Sequence, residues 1–437
     1  MELTKYIDYA VFSEFNDFEI QVELFSSKEY TYHNNLLQHT EFTDDYATTL
    51  YGQYNDIRRK IHTTGTNCIY SAIDMLKRDI LEIQTSNTSK QMIIQRSHYP
   101  TILLAKNNFA RLSINEITCL TQKINRICSE KCLENNLQYD LDISFSILNY
   151  EVAIENTQHT KLNFTQSNSV IEVTVHLYNS FDNFYDTHSE RINYVSNENN
   201  LTLLNHFSNF FQNSIMYMTS NNEFFDRDTQ FIFTGECFSN LLFMFAGHFY
   251  ASWIEDHTSF FANKLNKKIM SSIVTIIDNA TLPYGFSSRP FDLEGTPSKK
   301  TTIINNGYFS SPLHNIETAQ KYQSESTGNY DKDIYIKFSN LYISPSNNKI
   351  SIEKNNTYLQ IEQILDLEMG TNVYTGDATY HINGKYIKNG KVIKFLKNYS
   401  ININFFSLIN SICEIGNDLT FNLYGVGCPS IKVNSLQ

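Results

Sequence analysis

Apolar and polar residues alternate along the first fifth of the chain. In Phe18-Glu19-Ile20-Gln21-Val22-Glu23-Leu24 every second side chain is apolar, and Tyr30 to His33 continues the pattern, which predicts a strand with one buried face. The period then changes. Between Asn67 and Ile83 the apolar residues Ile69, Ile73, Leu76, Ile80 and Ile83 recur at the spacing of an amphipathic helix. A second helix is predicted from Ser113 to Asn135, then strands from Asp140 to Leu148, Val152 to Asn156 and Ser169 to Tyr178, and a further helix from about Asn200 to Thr219. Strands joined by short turns with interspersed helices predict an α+β fold built on an antiparallel sheet.

From about Asp226 the texture differs. Glu236 to Asp256 and Phe260 to Lys268 read as helices, and beyond them short strands are separated by Gly307, Gly328, Asn347-Asn348, Asn383-Gly384 and Asn389-Gly390. Asn-Gly is a strong hairpin signal, so Tyr386 to Ile393 is read as a hairpin turning at Asn389-Gly390. There is no internal repeat and no Pro/Gly/Ser-rich linker. Two domains are expected, an N-terminal α+β domain over 1–200 and a β-rich C-terminal domain over 201–437, with a soft boundary within 195–228.

Composition narrows the classes. With 34 Lys+Arg against 46 Asp+Glu the formal charge is −12, which repels phosphate backbones, and basic runs stop at Arg58-Arg59-Lys60. No nucleic-acid partner is expected. Aromatic residues make up 14% of the chain, an abundance foreign to disordered segments. The longest apolar run, Leu241 to Ala246, is far below the roughly 20 residues that span a bilayer. Met1 to Phe12 interrupts its apolar stretch with acidic residues and lacks the cleavage site of a leader. Seven cysteines without a CxxC pair indicate no disulfide framework. A soluble, cytoplasmic protein is expected, with no membrane partner.

Four sets of residues carry candidate chemistry, and each has a plain structural reading beside the functional one. His248, Glu255 and His257 form a His/Glu/His set for zinc, but on one straight helix His257 lies opposite His248, which favours a lone buried histidine. Asp292 and Glu294, after Arg289, form a carboxylate pair for acid/base work or metal binding, or pair with Arg289 or cap turns. Ser326-Thr327-Gly328-Asn329 and Thr375-Gly376-Asp377 are loops with hydroxyl and carboxylate neighbours, or simply turns. Cys413 or Cys428 is a nucleophile or a buried thiol, and Cys128 with Cys132 is a two-thiol metal face or core packing.

The order of motifs in the second half resembles the TldD/PmbA family of peptide-processing proteins. Ile273 to Asn329, reading IVTIIDNATLPYGFSSRPFDLEGTPSKKTTIINNGYFSSPLHNIETAQKYQSESTGN, is similar to the family's TLPGG-GS-PFDDEG-P turn, its T-LI-NGVL region and its STGN. Val373 to Asp377, Gly384 to Lys391 and Ile415 to Asp418 are similar to its PVTGDFS, G-LIENGKI and IGND. In the N-terminal half Glu19–Glu23, Leu36–Glu41 and Thr63-Thr64 resemble it more loosely.

The family contains metallopeptidase subunits whose helix carries HExxxH, with a further Cys ligand near the C-terminus, and partner subunits without them. The equivalent run here is Leu241 to His248, where Phe243 and Met244 stand at the first His and the Glu and only His248 remains. Cys428 falls at a small-residue position of the partner subunit's ending. The resemblance therefore implies a TldE/PmbA-type subunit: no catalytic residue and no metal or cofactor in this chain, zinc in an HExxxH-bearing TldD-type partner, and a heteromer that processes small peptides as extended strands. Phe291, Asp292, Glu294, Gly295, Thr327, Gly328, Asn329, Gly376 and Asp377 become candidates for peptide binding or the subunit interface. The alternatives are a stand-alone homodimeric peptide-binding or maturation protein, and a repurposed enzyme using Asp292, Glu294 and His248.

Overall fold

The computed structural model describes residues 3–65, 68–83, 93, 98–104, 113–179, 184–193, 200–218, 220, 229–332, 334–353, 356–434 and 436. Parts of the expected boundary region 195–228, together with Asn67 and Thr219, lie outside them. The fold is α+β and rich in sheet, as the alternation predicts.

The N-terminal unit is one antiparallel sheet of long strands. Helix α1 (Thr4–Phe12) leads into β1 (Asp17–His33), β2 (Leu36–Tyr54) and β3 (Ile57–Thr64), and α2 (Ile69–Ile83) and α3 (Ile114–Glu134) precede β4 (Gln138–Asn156), β5 (Lys161–Asn179), β6 (Phe184–Asn193) and α4 (Asn200–Met218). The spatial order is β3-β2-β1-β4-β5-β6. The two strands expected over 140–148 and 152–156 are one: β4 pairs without interruption with both neighbours from Asp142 to Glu155, and nothing between Leu148 and Val152 forces a turn. A capping box starts α3, with Ser113 and Glu116 exchanging side-chain-to-backbone bonds.

Helices cover one face of this sheet. Leu3, Ala10, Ile73 and Leu76 of α1, α2 and the residue before α1 pack on Phe18, Ile20 and Val22 at one end, while Ile117, Ile124, Leu203, Phe207 and Phe211 of α3 and α4 pack on Tyr32, Phe145 and Val173 at the other. Helix α4, placed by its sequence position at the head of the second domain, thus fills the core of the first sheet. At the α1/α2 end the opposite face is also covered, because Val152, Ile154, Leu162 and Phe164 meet Phe291, Leu293 and Tyr330 of the C-terminal unit. This explains why Glu19 and Gln21, on the polar side of the β1 alternation, are buried.

The C-terminal unit has two six-stranded sheets. One is ordered β16 (Lys391–Asn404), β15 (Asp377–Lys388), β14 (Thr357–Ile364), β7 (Gln230–Phe233), β20 (Ile431–Val433), β17 (Ile412–Ile415); the other is β10 (Tyr308–Phe309), β9 (Lys300–Asn305), β8 (Ile276–Asn279), β13 (Leu341–Ile343), β19 (Val426–Cys428), β18 (Thr420–Phe421). A two-residue pair, β11 (Tyr330–Asp331) and β12 (Tyr335–Ile336), and the short helices α5 (Gly235–Met244), α6 (Ala251–Glu255), α7 (Ile316–Lys321) and α8 (Phe405–Leu408) complete it. Side chains of both sheets and of α5, among them Leu241, Ile276, Ile304, Leu359, Tyr380 and Ile431, share one core. The β15–β16 hairpin turns at Asn389 and Gly390, both with positive φ, as the Asn-Gly signal predicts.

Two helix expectations are corrected. Glu236–Asp256 is not one helix: α5 stops at Met244, a 3₁₀ turn covers Ala246–Phe249, and Tyr250 is extended, bridging Leu313, before α6 begins. Phe260–Lys268 is a run of turns in which Asn263 and Asn266 take positive φ, a conformation asparagine tolerates and helix propagation does not. In both, burial of Phe249 and Phe261 in the core overrides a helix-like apolar spacing.

Candidate functional site

The break after α5 decides the chemistry of His248. The imidazole is fully buried among Phe245, Trp253, Phe261 and Phe406, whose ring centroids lie 5.2–6.1 Å away. Its Nδ1 accepts the Phe260 backbone N–H at 3.0 Å. A backbone N–H can only donate, so the ring proton sits on Nε2, which donates to the Val373 carbonyl at 2.7 Å. Burial holds its pKa below the ordinary imidazole value.

Glu255 Oε1 instead contacts Lys321 Nζ at 2.6 Å, and His257 is exposed at a positive-φ turn. The His/Glu/His set does not converge, and among the described residues no three His, Cys, Asp or Glu side chains are placed to hold a metal. Phe243 lies flat on Tyr424 at 4.4 Å, and Met244 packs against the core. Zinc needs nitrogen, thiolate or carboxylate lone pairs; both nitrogens of His248 are engaged, and Phe243 and Met244 supply none of these donors. The residues of this turn do not fit a zinc ion.

The Phe291–Gly295 turn and the Thr327–Asn329 loop are brought together. Asp292, 1% exposed, accepts the Glu294 and Thr296 N–H groups on Oδ1 at 3.0 and 2.9 Å and the Tyr330 N–H on Oδ2 at 2.9 Å. Burial pushes its carboxyl up, and these donors and the nearby Arg289 charge partly offset that. Glu294 Oε2 accepts the Ile316 N–H at 2.8 Å, at the first turn of α7. Both carboxylates therefore hold backbone, which is the turn-capping reading.

Gly295 has φ 70° and a Cβ there would meet Ile93 at 2.3 Å. Phe291 is edge-on to Tyr99 and Phe164. Thr327 Oγ1 accepts the His314 N–H at 2.7 Å, Gly328 has φ 76° beside the Pro297 carbonyl, and Asn329 Nδ2 donates to Asp278 Oδ2 at 2.7 Å. These residues form the joint where the N-terminal sheet grips the C-terminal unit: Gln21 Nε2 donates to the Leu293 carbonyl at 3.2 Å and Tyr99 Oη to that of Gly295 at 3.1 Å.

Gly376 and Asp377 lie elsewhere, in the loop after Val373 that His248 anchors. Gly376, with φ 82°, sits against the Phe406 ring. Asp377 is exposed, its carboxyl held low by hydrogen bonds from Asn404 and Thr375, and it lines an open groove of about 790 Å³ with Met369, Thr371 and Ser407. Cys428 is buried and its thiol is pushed up by burial, and Cys413, although exposed, is also raised, by partial desolvation, the reverse of an activated nucleophile. Cys128 and Cys132 are buried against the N-terminal sheet.

One cluster was not singled out from the sequence. A cavity of about 400 Å³ between β6, α4, the start of α5 and β14 is lined by Glu190, His206, Tyr217, Glu236, Glu362 and Asp418, among others. Glu190 contacts His206 Nε2 at 2.8 Å, and Glu362 contacts Lys385 Nζ at 2.7 Å and accepts the Tyr217 hydroxyl at 2.6 Å. Glu236 opens into the cavity; enclosure by its walls, then the Glu190 and Glu362 charges, push its carboxyl up to about 7 against the pull of His206. Only Asp418 lay in a recognised motif. The other residues come from separate segments, and no sequence spacing announces them.

Residues 226–437 match the family model described as the PmbA/TldA metallopeptidase C-terminal domain. A metalloprotease of Methanocaldococcus jannaschii is 39% identical over 100 residues, 22% of each chain. The metalloprotease TldD homolog of Buchnera aphidicola subsp. Schizaphis graminum is 26% identical over 203 residues, 41% of each chain. Matches thus span well under half the length of these curated relatives. The fold of TldE from Thermococcus kodakarensis superimposes with a TM-score of 0.78 at 16% identity, over 99% of this chain and 98% of that one. A Thermotoga maritima protein, named as a candidate modulator of a DNA gyrase, superimposes with a TM-score of 0.82 at 17% identity, over 99% of this chain and 97% of that one. By the family model the C-terminal half, residues 226–437, belongs to the PmbA/TldD family, and the chain as a whole has the fold of TldE.

Proposed function

We propose that this chain is a TldE/PmbA-like, non-catalytic subunit that works with an HExxxH-bearing TldD-type metallopeptidase on small, extended peptides. The observation that carries the reading is the state of the turn after α5. Phe243 is stacked on Tyr424, Met244 packs against the core, and His248 spends both ring nitrogens on backbone groups. A metallopeptidase needs imidazole lone pairs for the metal and a carboxylate to take the proton from its water. Side chains built into ring stacks and backbone hydrogen bonds serve shape instead.

In this reading zinc resides in the partner, and this chain contributes walls, strands and the joint between its own domains. Peptide held by main-chain hydrogen bonds is bound with little sequence preference. The groove beside Asp377 and the Thr375–Asp377 loop is the candidate contact surface. All seven cysteines are free and no helix among the described residues is long and apolar enough to cross a membrane; with these we assign the chain to the cytoplasm.

The test is reconstitution. The purified chain alone is expected to contain no stoichiometric zinc and to leave peptides intact, and to support cleavage only when mixed with a TldD-type subunit. Chelator-sensitive peptidase activity of the chain by itself overturns the proposal.

A further inference from the structure

The cavity at the start of α5 holds a carboxyl with no partner of its own. Its lining carries four carboxylates, Glu190, Glu236, Glu362 and Asp418, and no Lys or Arg. Three of the four are satisfied by protein groups. Glu190 meets His206; Glu362 meets Lys385, Tyr217 and Gln360; Asp418 accepts the Ser430 N–H and hydroxyl at 3.0 and 2.6 Å. No described residue donates a hydrogen bond to the Glu236 carboxyl or forms an ion pair with it.

A second group on another wall has the same need. His188 is 7% exposed, and its Nε2 meets Asp186 Oδ2 at 2.9 Å. That carboxylate, also paired with Lys397 at 2.6 Å, accepts the imidazole N–H, so in the neutral ring the lone pair is on Nδ1. No described residue bonds Nδ1, and the ring lines the cavity.

Buried polar groups are stable only with partners, and here both groups want N–H donors. A metal ion does not meet the need, because among the described residues no three His, Cys, Asp or Glu side chains are placed to hold one. An organic ammonium requires no coordination polyhedron and brings three N–H donors. Glu236 enters from α5 and His188 from β6, so a ligand serving both carries a donor group at each end. With His206 and Lys385 set against Glu190 and Glu362, two carboxylates remain, which a dication balances. A space of about 400 Å³ lies in the range of small-molecule sites.

We propose that this cavity binds a small aliphatic diamine, one ammonium group paired with Glu236 and the other donating to Nδ1 of His188. The site draws on neither zinc nor the metal-bearing subunit, so it stands or falls independently of the proposed function.

The test is isothermal titration of the full chain alone with 1,4-diaminobutane. One site per chain is expected. At pH 7 binding is expected to release about half a proton, read as an enthalpy that varies with the ionisation enthalpy of the buffer, because an ammonium beside Glu236 drives off the proton it still holds. Affinity is expected to fall about tenfold from pH 8 to pH 6, with the ionised fraction of Glu236. Glu236→Gln leaves the other titrating groups around the cavity in place, namely His188, Glu190, His206, Tyr217, Glu362 and Asp418. It is expected to bind at least tenfold more weakly and to release no proton. 1-Aminobutane, with one ammonium group, is expected to bind wild type at least tenfold more weakly than the diamine. No binding at millimolar diamine, binding without proton release, a Glu236→Gln variant that binds as tightly as wild type, 1-aminobutane as tight as the diamine, or displacement of the diamine by equimolar Mg²⁺ each overturns the proposal.

Discussion

Replacing Asp292 by Ala separates a structural carboxylate from a chemical one. In the native joint it accepts three backbone N–H groups at 2.9–3.0 Å and is 1% exposed. Truncation leaves three buried donors without an acceptor, at about 1–3 kcal/mol each. Against this, the carboxylate is itself an unfavourable guest, since burial raises its pKa despite those donors, and removing it relieves part of that penalty. Water entering the vacated space offsets more. The net expectation is a loss of about 2–4 kcal/mol.

Asp292→Asn keeps an acceptor for Glu294 and Thr296 but turns an amide N–H₂ toward the Tyr330 N–H, so it is expected to fall between wild type and Ala. Urea unfolding followed by the fluorescence of Trp253, the single tryptophan, measures this. Under conditions where each variant is folded, activity of the complex with a TldD-type subunit is expected to be retained. An Ala variant within about 0.5 kcal/mol of wild type, or an Asn variant of full stability whose complex is inactive, refutes the reasoning.

Two further outcomes concern Glu236 and the turn that carries His248. Glu236, raised from 4.5 to about 7, faces Glu190 and His188 of β6, His206 and Tyr217 of α4, Glu362 of β14, and Asp418. The folded state holds its proton more tightly than the unfolded chain, so its contribution is present below about pH 4.5 and lost as pH rises through about 7. At about 1.4 kcal/mol per tenfold change this amounts to about 3 kcal/mol at most, and to about 1–2 kcal/mol for a carboxyl open to a cavity. Glu236→Gln is expected to raise the melting temperature above pH 7 and flatten its pH dependence; an unchanged profile counts against the assignment. Restoring two metal-site positions with Phe243→His and Met244→Glu is expected to yield no stoichiometric zinc by elemental analysis, because the His248 lone pair remains committed to Phe260; one zinc per chain would show that this hydrogen bond yields to the metal.

The fold was legible where one period runs unbroken. The helical spacing of Ile69, Ile73, Leu76 and Ile80 and the alternation of β1 each translate into an element with the expected buried face. Prediction failed where tertiary packing supplies the constraint: the break at Tyr250 depends on its bridge to Leu313, and the turns after Phe260 depend on the core that receives Phe261. The site residues were legible as a motif but their roles were not. Asp292 is satisfied by Tyr330, 38 positions away, and the Glu236 cavity gathers walls from several separate segments.

The joint between the domains is gripped through main chain. Across it Gln21 and Tyr99 hold the carbonyls of Leu293 and Gly295, Gln166 holds those of Gly285 and Phe286, and Asn168 shares the latter, beside the ion pair of Glu23 with Lys332. Every peptide unit offers the same carbonyl and, proline aside, the same amide. The polar part of the hold therefore does not depend on the side chain of the gripped residue, while Phe291, Leu293 and Tyr330 remain pinned by the apolar cluster they share with Val152 and Phe164. A docking surface of this kind lets sequences drift far apart while the two domains keep their mutual placement, in keeping with chains that share this fold across nearly their whole length at 16–17% identity.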